Sequence, residues 1–310
     1  LRVAAAALLV LAAACGWDVV VANDARALPL AHRVARGAPV WADMHEWALA
    51  EFAQDWRWRA LVRPFAAHLC ERYLPASAAV STVCEPIAQL YRDTYGVACA
   101  VVRNAPDPVD LVPSATEPGR VRLVHSGSAV PGRGLDTLVE VARGLDGRFS
   151  LDLYLTRGGD GGRHLARLRA LAAGHPRITF HDPVPPAELA RTLNRYDVGI
   201  YSLPPANLNA ELALPNKFFD FVQARLALAV GPSREMARVV SAHGLGVVAD
   251  DFSAAALRRA LEGLDAGSLA AAKAASHRAA AELSSARERE VVLELARGAL
   301  AAAPVGGGRS

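Results

Sequence analysis

The sequence predicts an α/β protein made of two doubly wound, Rossmann-like domains. Apolar runs of strand length alternate with longer amphipathic stretches of helical period, which is the order that parallel sheets with crossover helices require. The alternation occurs as two series, and the proline-rich segment PDPVDLVPSATEPG at 106–119 separates them. The chain has 310 residues, 52% of them hydrophobic, which is enough for two cores.

The first series contains three strand and helix pairs and a closing strand. Its strand-like runs are DVVVAND, APVWADMHE, ASAAVSTV and CAVVRNAPD, and its helical stretches are ALPLAHRVARG, a long amphipathic segment and EPIAQLYRDTYG. The second series begins with VRLVHSGS and GLDTLVEVARGL and continues to GLGVVAD and SAAALRRALEGL. We therefore predict an N-terminal domain at 1–112, a linker at 113–119, a C-terminal domain at 120–272, a helical region at 273–303 and a flexible tail at 304–310.

The start of the chain allows two interpretations. LRVAAAALLVLAAACG has the apolar run and the small residues before Cys15 that are typical of a bacterial lipoprotein signal peptide. However, there is no initiator Met, Arg2 is the only basic residue ahead of the apolar run, and a strand-like apolar segment follows at once. A core helix before a strand is therefore the favoured interpretation.

Composition excludes several classes of protein. The formal net charge of +3, from 34 basic and 31 acidic residues, gives no bulk field for nucleic acid. Four cysteines without CxxC or Cys/His ligand spacing predict neither a disulfide framework nor a zinc site, and they fit a cytoplasmic protein.

Residues 52–74 mix tryptophan, phenylalanine and arginine, which suits peripheral contact with a membrane or, alternatively, an ordinary surface helix.

The loop after the first strand of the second series is a candidate anion site. In HSGSAVPGRGLDTL, Gly127 permits a tight turn, Arg133 offers a fork of donors, and a helix that begins near Gly134 presents free N–H groups. The loop matches neither the dinucleotide fingerprint nor the P-loop. An ordinary strand-to-helix turn with a solvated Arg133 is therefore the alternative.

LPNKFFDF, residues 214–221, favours the anion interpretation. We expect Asn216 to cap a helix in which Phe218 and Phe221 face inward, with Lys217 and Asp220 turned toward the site. The helix dipole alone would explain Asp220, but a cation in the same first turn opposes that dipole. An anion in front of both would resolve the conflict, so the residues predict a site for a diphosphate attached to a ribose.

Several stretches together resemble the retaining GT-B glycosyltransferases, the group 1 or family 4 class that uses nucleotide-sugar donors. The similar stretches are DMHEW, VSTVCEPIAQLY, VVRNAPD, HSGSAVPGRGLDTLVEVA and LPNKFFDFVQARLALAV. Their order and spacing extend over most of the chain. The resemblance implies a GT-B fold in which this chain lacks the first strand and glycine-rich turn, which serve the acceptor in that family.

The resemblance also implies roles for individual residues. Arg133 and Lys217 would contact the donor diphosphate, and Asp220 would bind the ribose hydroxyls. The donor site would further include Gly127, Ser128, Gly134 and Asn216. As catalytic residues, His45 would lie near the sugar, and Glu211 would serve as the first acid of the donor helix if the loop shifts. The alternative for Glu211 is a solvated loop carboxylate. HDPVPP, residues 181–186, is similar to the loop that brackets the base.

The sequence departs from the family at several positions, beginning with Arg133 and Asp220, which stand where lysine and glutamate are usual. Ser128 stands where an arginine is common, so one phosphate cation is absent. The first of two acids separated by seven residues would fall at Leu212, with Glu211 one position away. Arg225 and Ala227 stand where glycine and proline are usual.

The activity implied by the resemblance is transfer of a sugar, with retention, from a nucleoside diphosphate to a glycan or lipid-linked acceptor in bacterial cell-envelope synthesis. The sequence contains no Asp-x-Asp triplet, so we expect metal independence and no cofactor besides the donor substrate. The expected location is the cytoplasm or the inner face of the membrane. The rival hypotheses are a nucleotide-sugar epimerase and a non-catalytic nucleotide-binding or assembly subunit.

Overall fold

The computed structural model describes residues 17–301, which form two compact units. Unit 1 comprises 17–103, 207–209 and 288–301, and unit 2 comprises 104–206 and 210–287. The chain therefore leaves unit 1 after Arg103, returns to it for three residues and returns again at Glu288. The predicted domain limits stay predictions, and both interpretations of the apolar start concern residues outside the described part of the chain.

Unit 1 contains a parallel sheet of four strands in the order β1-β2-β3-β4. The strands are Val20–Asn23 (β1), Val40–Met44 (β2), Ala79–Thr82 (β3) and Ala100–Val101 (β4), and the helices between them are Leu28–Ala35 (α1), Arg63–Tyr73 (α2) and Glu85–Tyr95 (α3). Short 3₁₀ turns occur at Ala25–Ala27 and Ala48–Ala50, and a π-helical turn at Trp58–Val62 leads into α2. Four of the five β2 residues are buried, as expected for a parallel strand covered on both faces.

Unit 2 contains a parallel sheet of six strands in the order β10-β9-β8-β5-β6-β7. The strands are Val121–Ala129 (β5), Phe149–Arg157 (β6), Ile178–His181 (β7), Val198–Tyr201 (β8), Ala227–Val230 (β9) and Gly246–Val248 (β10). The helices that follow along the chain are Leu135–Gly144 (α4), Arg163–Leu171 (α5), Pro186–Leu193 (α6), Leu208–Leu212 (α7), Asn216–Gln223 (α8), Arg234–His243 (α9), Ala254–Glu262 (α10), Ala266–Ala279 (α11) and Ser285–Ala301 (α12). Of these, α7 begins in unit 1, and α12 belongs to unit 1 from Glu288 onward.

Two apolar clusters cover the two faces of the larger sheet. Successive residues of a strand point to opposite faces, and Leu123 and Val124 of β5 accordingly belong to different clusters. Ile200 and Tyr201 divide in the same way at the end of β8. Burial on both faces explains why the strands of the second series read as continuous apolar runs instead of alternating ones.

The direction in which successive strands are added to the sheet reverses after β7. From β5 the chain moves outward through β6 and β7, and it then returns to place β8 on the other side of β5. In open α/β sheets, ligands bind beyond the carboxyl ends of the strands at such a switch point. The loops that follow β5 and β8 are therefore the first place to look for a site in unit 2.

The segment before β5 has no helix or strand but is held to the end of α8. Arg225 has a left-handed backbone, with φ of 60°. Its guanidinium donates to the carbonyl oxygens of Val109 at 2.7 Å and of Leu111 at 3.2 Å, and Val109 N–H donates to the Gln223 side chain at 3.2 Å. These bonds give a structural reason for an arginine at a backbone position that glycine would fill with less strain.

The last helix is joined to the end of the first series by a buried ion pair. Glu288 of α12 is 5% exposed and accepts from the backbone N–H and the guanidinium of Arg103, each at 2.7 Å. Both residues belong to unit 1. A charge-assisted pair of this kind fixes α12 to the chain that follows β4.

Candidate functional site

The loop after β5 approaches the end of β8 so closely that it requires a glycine. Gly134 precedes α4 and has φ of 73°. A Cβ atom at this position would lie 1.9 Å from the carbonyl oxygen of Ser202. Because no rearrangement of a side chain relieves contact with a backbone oxygen, Gly134 holds the first turn of α4 beside the chain that leaves β8.

Helix α8 is positioned by close packing on β8. Phe218, Phe219 and Phe221 are all buried, which confirms the inward direction predicted for Phe218 and Phe221. A Cβ atom on Gly199 would lie 2.4 Å from Cγ of Phe221, so the bare backbone of β8 lets the helix approach. This packing directs the first turn of α8 toward the carboxyl ends of β5 and β8.

Lys217 reaches the last part of β5 from this first turn. Gly127, which was expected to form a turn, instead lies on β5 and pairs with Leu155 of β6. A Cβ atom on Gly127 would lie 3.0 Å from Nζ of Lys217. The ammonium lies 4.6 Å from the centroid of the Tyr201 ring, and within the described residues it forms no ion pair. Burial, followed by the positive charge of Arg133, lowers the pKa of Lys217 to about 8. The charge of Asp220 opposes this lowering, but a half-buried cation still lies at the switch point without an ion pair among the described residues.

Arg133 adds a second positive charge to the same place. Its side chain is exposed, and among the described residues it has no carboxylate partner. Its charge lowers the pKa of Lys217 and opposes the rise in the pKa of Tyr201 that burial causes. A second positive charge that lowers the pKa of Lys217 favours an anion placed between the two side chains.

Asp220 provides a carboxylate on the same face of α8. Lys217 and Asp220 are three residues apart and so lie on one face, yet the described residues include no ion pair between them. Burial raises the pKa of Asp220 to about 6, and Lys217 opposes this rise. The first turn of α8 contains no acid, so the helix dipole does not account for Asp220.

Two further residues of the site were not predicted from the sequence. His125 lies on β5 with its Nε2 atom 3.8 Å from a Cβ built on Gly127, and Tyr201 ends β8 beneath the ammonium. Their rings are 5.6 Å apart between centroids. His125 lies in the middle of β5 and Tyr201 ends β8, so the sequence shows only a histidine and a tyrosine within apolar strand-like runs.

His125 is held as a neutral imidazole. Its Nδ1 atom lies 2.9 Å from the carbonyl oxygen of Ile200, so Nδ1 carries the proton and donates. Burial, together with the charge of Lys217, lowers the pKa of His125 to about 3. The ring therefore adds no third positive charge beneath Lys217 at neutral pH.

Asn216 has a different local role from the one expected, and the place of Ser128 in the donor site stays a prediction. Asn216 does not cap α8, because it is the first residue of the helix and Pro215 precedes it as the N-cap without a side-chain hydrogen bond. The extended backbone of Pro215 starts the helix one residue earlier than the expected cap allows. Ser128 lies on β5, paired with Thr156 of β6, and is exposed.

The two predicted catalytic residues are on other elements of the fold. Glu211 is exposed on α7, and none of its described contacts joins it to Lys217 or Arg133. His45 follows β2 in unit 1 and lies 3.2 Å from Asp43 between Nε2 and Oδ2. Their roles stay predictions.

The loop predicted to bracket a base begins at a stacked pair of rings. His181 at the end of β7 stacks on Tyr154 of β6, with centroids 4.6 Å apart and an angle of 15° between the rings. The imidazole also hydrogen-bonds to the carboxylate of Asp152. The His181 side chain is thus already engaged within the sheet, and the role of the loop that follows stays a prediction.

Residues 17–301 contain neither a cluster of metal ligands nor a membrane-spanning helix. No group of three or more histidine, cysteine, aspartate or glutamate side chains is arranged to hold a metal ion. No helix in this range has both the length and the apolar character needed to cross a bilayer.

Comparisons with known proteins find similar folds among solved structures but no similar sequence. No protein-family model matches the chain, and no curated protein matches it. The fold is similar to a UDP-forming α,α-trehalose-phosphate synthase from Burkholderia vietnamiensis, with a TM-score of 0.66 and 14% identity over 91% of this chain and 72% of that one.

Two other solved structures show the same fold. The sucrose-phosphate synthase of Thermosynechococcus elongatus has a TM-score of 0.68 and 15% identity, over 92% of this chain and 74% of that one. The Anabaena protein HepE, solved with UDP and glucose, has a TM-score of 0.70 and 13% identity, over 93% of this chain and 79% of that one. These likenesses confirm the predicted fold class, an α/β protein of two Rossmann-like domains of the GT-B type.

Proposed function

We propose that this protein is a glycosyltransferase that binds the diphosphate of a nucleoside-diphosphate sugar beyond β5 and β8. One observation carries the proposal: Lys217 and Arg133 bring two positive charges together at the switch point of the sheet, and neither has a carboxylate partner among the described residues. A diphosphate supplies the missing negative charge. The first turn of α4, held in place by Gly134, adds backbone N–H groups directed toward the same region.

The chemistry that such a site supports is stabilisation of a leaving group. When the bond between the sugar and the diphosphate breaks, negative charge grows on the phosphate oxygens. Donors that are already in position stabilise that charge by about 3 kcal/mol each in a site from which water is excluded. Lys217 is half-buried and is the stronger donor of the two, because Arg133 is exposed. Asp220, when ionised, accepts hydrogen bonds from the two ribose hydroxyls and fixes the nucleoside.

The finer parts of the proposal rest on the sequence resemblance. The chain belongs in the retaining family 4 class, acts without a metal ion or cofactor and transfers the sugar to a glycan or lipid-linked acceptor of the bacterial cell envelope. We place it in the cytoplasm or at the inner face of the membrane. His45 and Glu211 are the proposed catalytic residues, and Gly127, Ser128, Gly134 and Asn216 complete the donor site. Contact of residues 52–74 with a membrane is a separate proposal, because it depends on unit 1 and not on the donor.

The donor site is tested by calorimetric titration of the purified chain with UDP, GDP and ADP. UDP is the first choice because the trehalose-phosphate synthase is described as UDP-forming and HepE was solved with UDP. Arg133→Ala and Asp220→Asn are each expected to weaken binding of the preferred nucleotide about tenfold or more, since a hydrogen bond to a charged group contributes about 1.5–3 kcal/mol. The matched control is Arg195→Ala, which removes an exposed arginine from the turn that follows α6.

Circular dichroism and a cooperative thermal transition show whether the chain is folded. If a folded chain binds no nucleotide, the proposed donor site is wrong. Binding that is weakened equally by Arg195→Ala would show a general charge effect instead of a site. Metal independence is checked in the same titration, because a chelator such as EDTA is expected to leave the affinity unchanged. Turnover with a donor sugar, reduced in His45→Ala and Glu211→Gln at unchanged affinity, would assign the catalytic residues.

A further inference from the structure

An exposed surface of unit 1 combines large apolar side chains with arginine. We call it the basic aromatic patch, and it consists of Phe52, Trp56, Arg57, Arg59, Leu61, Val62, Arg63 and Phe65. Trp56 is 64% exposed, Leu61 is 73% exposed and Phe65 is 55% exposed. Isolated exposed apolar residues are normal, but so many within one short segment mark an interaction surface.

The patch is presented by a well-anchored scaffold. Trp58, Ala66 and Leu69 of the same segment are buried, and the Phe52 ring packs edge-to-face on Trp58 with centroids 6.4 Å apart. The inner side of the segment therefore satisfies the core of unit 1. An ordinary surface helix has polar residues on its solvent side, but here Trp56, Leu61 and Phe65 are exposed although the core does not require them. This argues against the interpretation of an ordinary surface helix.

The charge of the patch is predominantly positive, and the one acid between Phe52 and Phe65 is Asp55, which accepts a hydrogen bond from the backbone N–H of Arg57. From Trp56 to Cys70 the sequence contains no acid. Arg57, Arg59 and Arg63 form no ion pair with any described residue, and the guanidinium of Arg57 lies 5.6 Å from the Trp56 ring. A protein partner that covered the apolar residues would also bury three cations and would need carboxylates at matching positions.

An anionic lipid surface meets both requirements at once. Its phosphates neutralise the arginines, while tryptophan and phenylalanine enter the boundary between headgroups and acyl chains. Arginine can also lay its apolar stem along that boundary while its charged end stays among the headgroups. We propose that the basic aromatic patch docks unit 1 reversibly on a bilayer that contains anionic lipid. The proposal does not depend on the donor site.

Vesicle flotation of the full chain tests the proposal. Vesicles of phosphatidylglycerol and phosphatidylcholine in equal parts are compared with vesicles of phosphatidylcholine alone. Each cation near an anionic surface contributes about fivefold to partitioning, so Arg57→Gln, Arg59→Gln and Arg63→Gln combined should reduce it on the order of 100-fold. The matched control combines Arg191→Gln, Arg195→Gln and Arg278→Gln, which removes three exposed arginines of unit 2 and should have a much smaller effect.

A second measurement separates insertion from simple attraction of charges. Lipids brominated on their acyl chains are expected to quench tryptophan fluorescence in the wild type, and Trp56→Phe should remove most of that quenching while the far-ultraviolet circular dichroism stays unchanged. Trp56→Ser, Leu61→Ser and Phe65→Ser combined should reduce flotation as strongly as the arginine variant.

Three outcomes would overturn the proposal. One is flotation that is equal on the two kinds of vesicle. Another is flotation that the patch variants do not change. The third is a patch that mediates self-association, shown by sedimentation as a dimer that the serine variant dissociates, without any binding to vesicles.

Discussion

The ammonium nitrogen of Lys217 lies 4.6 Å from the centroid of the Tyr201 ring, at the carboxyl end of β8. The ring belongs to the core, and its hydroxyl is buried without a hydrogen-bond partner of normal geometry among the described residues. An aromatic face stabilises a partly desolvated cation by about 1–2 kcal/mol without neutralising it. The charge of Lys217 therefore stays available to a ligand.

The affinity for a donor should depend on pH through Lys217 and Asp220. Binding requires a protonated Lys217, whose pKa is about 8, and an ionised Asp220, whose pKa is about 6. We expect the affinity for a UDP-sugar to be greatest between about pH 6 and pH 8 and to fall on either side. A UDP-sugar is preferred to UDP because its diphosphate has no proton that titrates near pH 6.

The matched variants assign the two limbs of this profile. Asp220→Asn should flatten the fall on the acid side, and Lys217→Met should flatten the fall on the alkaline side at a lower overall affinity. Calorimetry in buffers of different ionisation enthalpy should also show proton uptake near pH 8 in the wild type. An affinity that does not change between pH 5 and pH 9 would contradict the assignment of both residues.

Lys217 should reduce the stability of the ligand-free protein. Its pKa in the folded state is below the ordinary value of 10.5, so the unfolded chain binds the proton more tightly. The charged form therefore destabilises the fold at pH 7, and this loss disappears as the pH rises from about 8 through 10.5. We expect Lys217→Met to increase the free energy of unfolding on the order of 1 kcal/mol, after allowance for partial exposure and the lost contact with Tyr201.

Chemical denaturation measures this gain, and a nucleotide titration of the same variant should show lost binding. Asp220→Asn should behave alike, because burial raises the pKa of Asp220 and so makes its ionised form unfavourable above about pH 6. Variants that are both less stable and unable to bind would instead assign the two residues to the structure of α8.

Gly134 should tolerate no side chain, whereas Gly132 in the same loop tolerates one at moderate cost. Both glycines have a left-handed backbone, with φ of 73° and 77°. A Cβ atom on Gly132 would meet nothing within 4 Å, but one on Gly134 would overlap the Ser202 carbonyl. We expect Gly132→Ala to cost about 1 kcal/mol from backbone strain and Gly134→Ala to cost several times more.

Thermal unfolding of the two variants measures the difference. Because Gly134 holds α4 beside β8, nucleotide affinity should fall in Gly134→Ala and stay close to that of the wild type in Gly132→Ala. Equal stability and equal affinity of the two variants would show that the loop moves away from Ser202 without loss.

A buried ion-pair network at the amino end of β8 should contribute strongly to stability. Asp197 is fully buried and lies 3.2 Å from Nζ of Lys273 and 2.9 Å from Nε of Arg122. Burial alone would raise the pKa of Asp197, but hydrogen bonds from Arg122 and the charge of Lys273 hold it below its ordinary value. Loss of one partner leaves part of a buried charge unneutralised, so Lys273→Met should destabilise unit 2 by about 3 kcal/mol.

The matched control is Arg258→Met, which breaks an exposed pair with Glu262 at 3.8 Å and should cost less than about 1 kcal/mol. Since the pKa of Asp197 is lowered in the folded state, its contribution to stability is present above the unfolded value of 3.8 and is lost as the pH falls through the lower, folded value. Urea unfolding at pH 7 provides the comparison. A loss for Lys273→Met no larger than that for Arg258→Met would show that Arg122 alone neutralises Asp197 and that Lys273 contributes little.

The sequence predicted much of the candidate site because the strand ends were readable from it. Gly127, Arg133 and Lys217 were selected as residues of loops that follow strands, and the carboxyl ends of parallel strands meet at one edge of a sheet. His125 and Tyr201 were missed because a histidine or tyrosine within an apolar run gives the same pattern whether it fills the core or underlies a site. Asn216 was expected to be a cap because the first helical residue cannot be located to within one position from a pattern alone.

The sequence by itself determined the α/β class and the two series of strands and helices, because hydrophobic periodicity is a local property of the chain. Tertiary structure decided the rest. The return of β8 to the side of β5 placed Lys217 against Gly127, residues that are far apart in the sequence. Burial in that place, and not the identity of the side chains, set the pKa of Lys217 near 8 and that of Asp220 near 6, because desolvation depends on neighbours that no local pattern records.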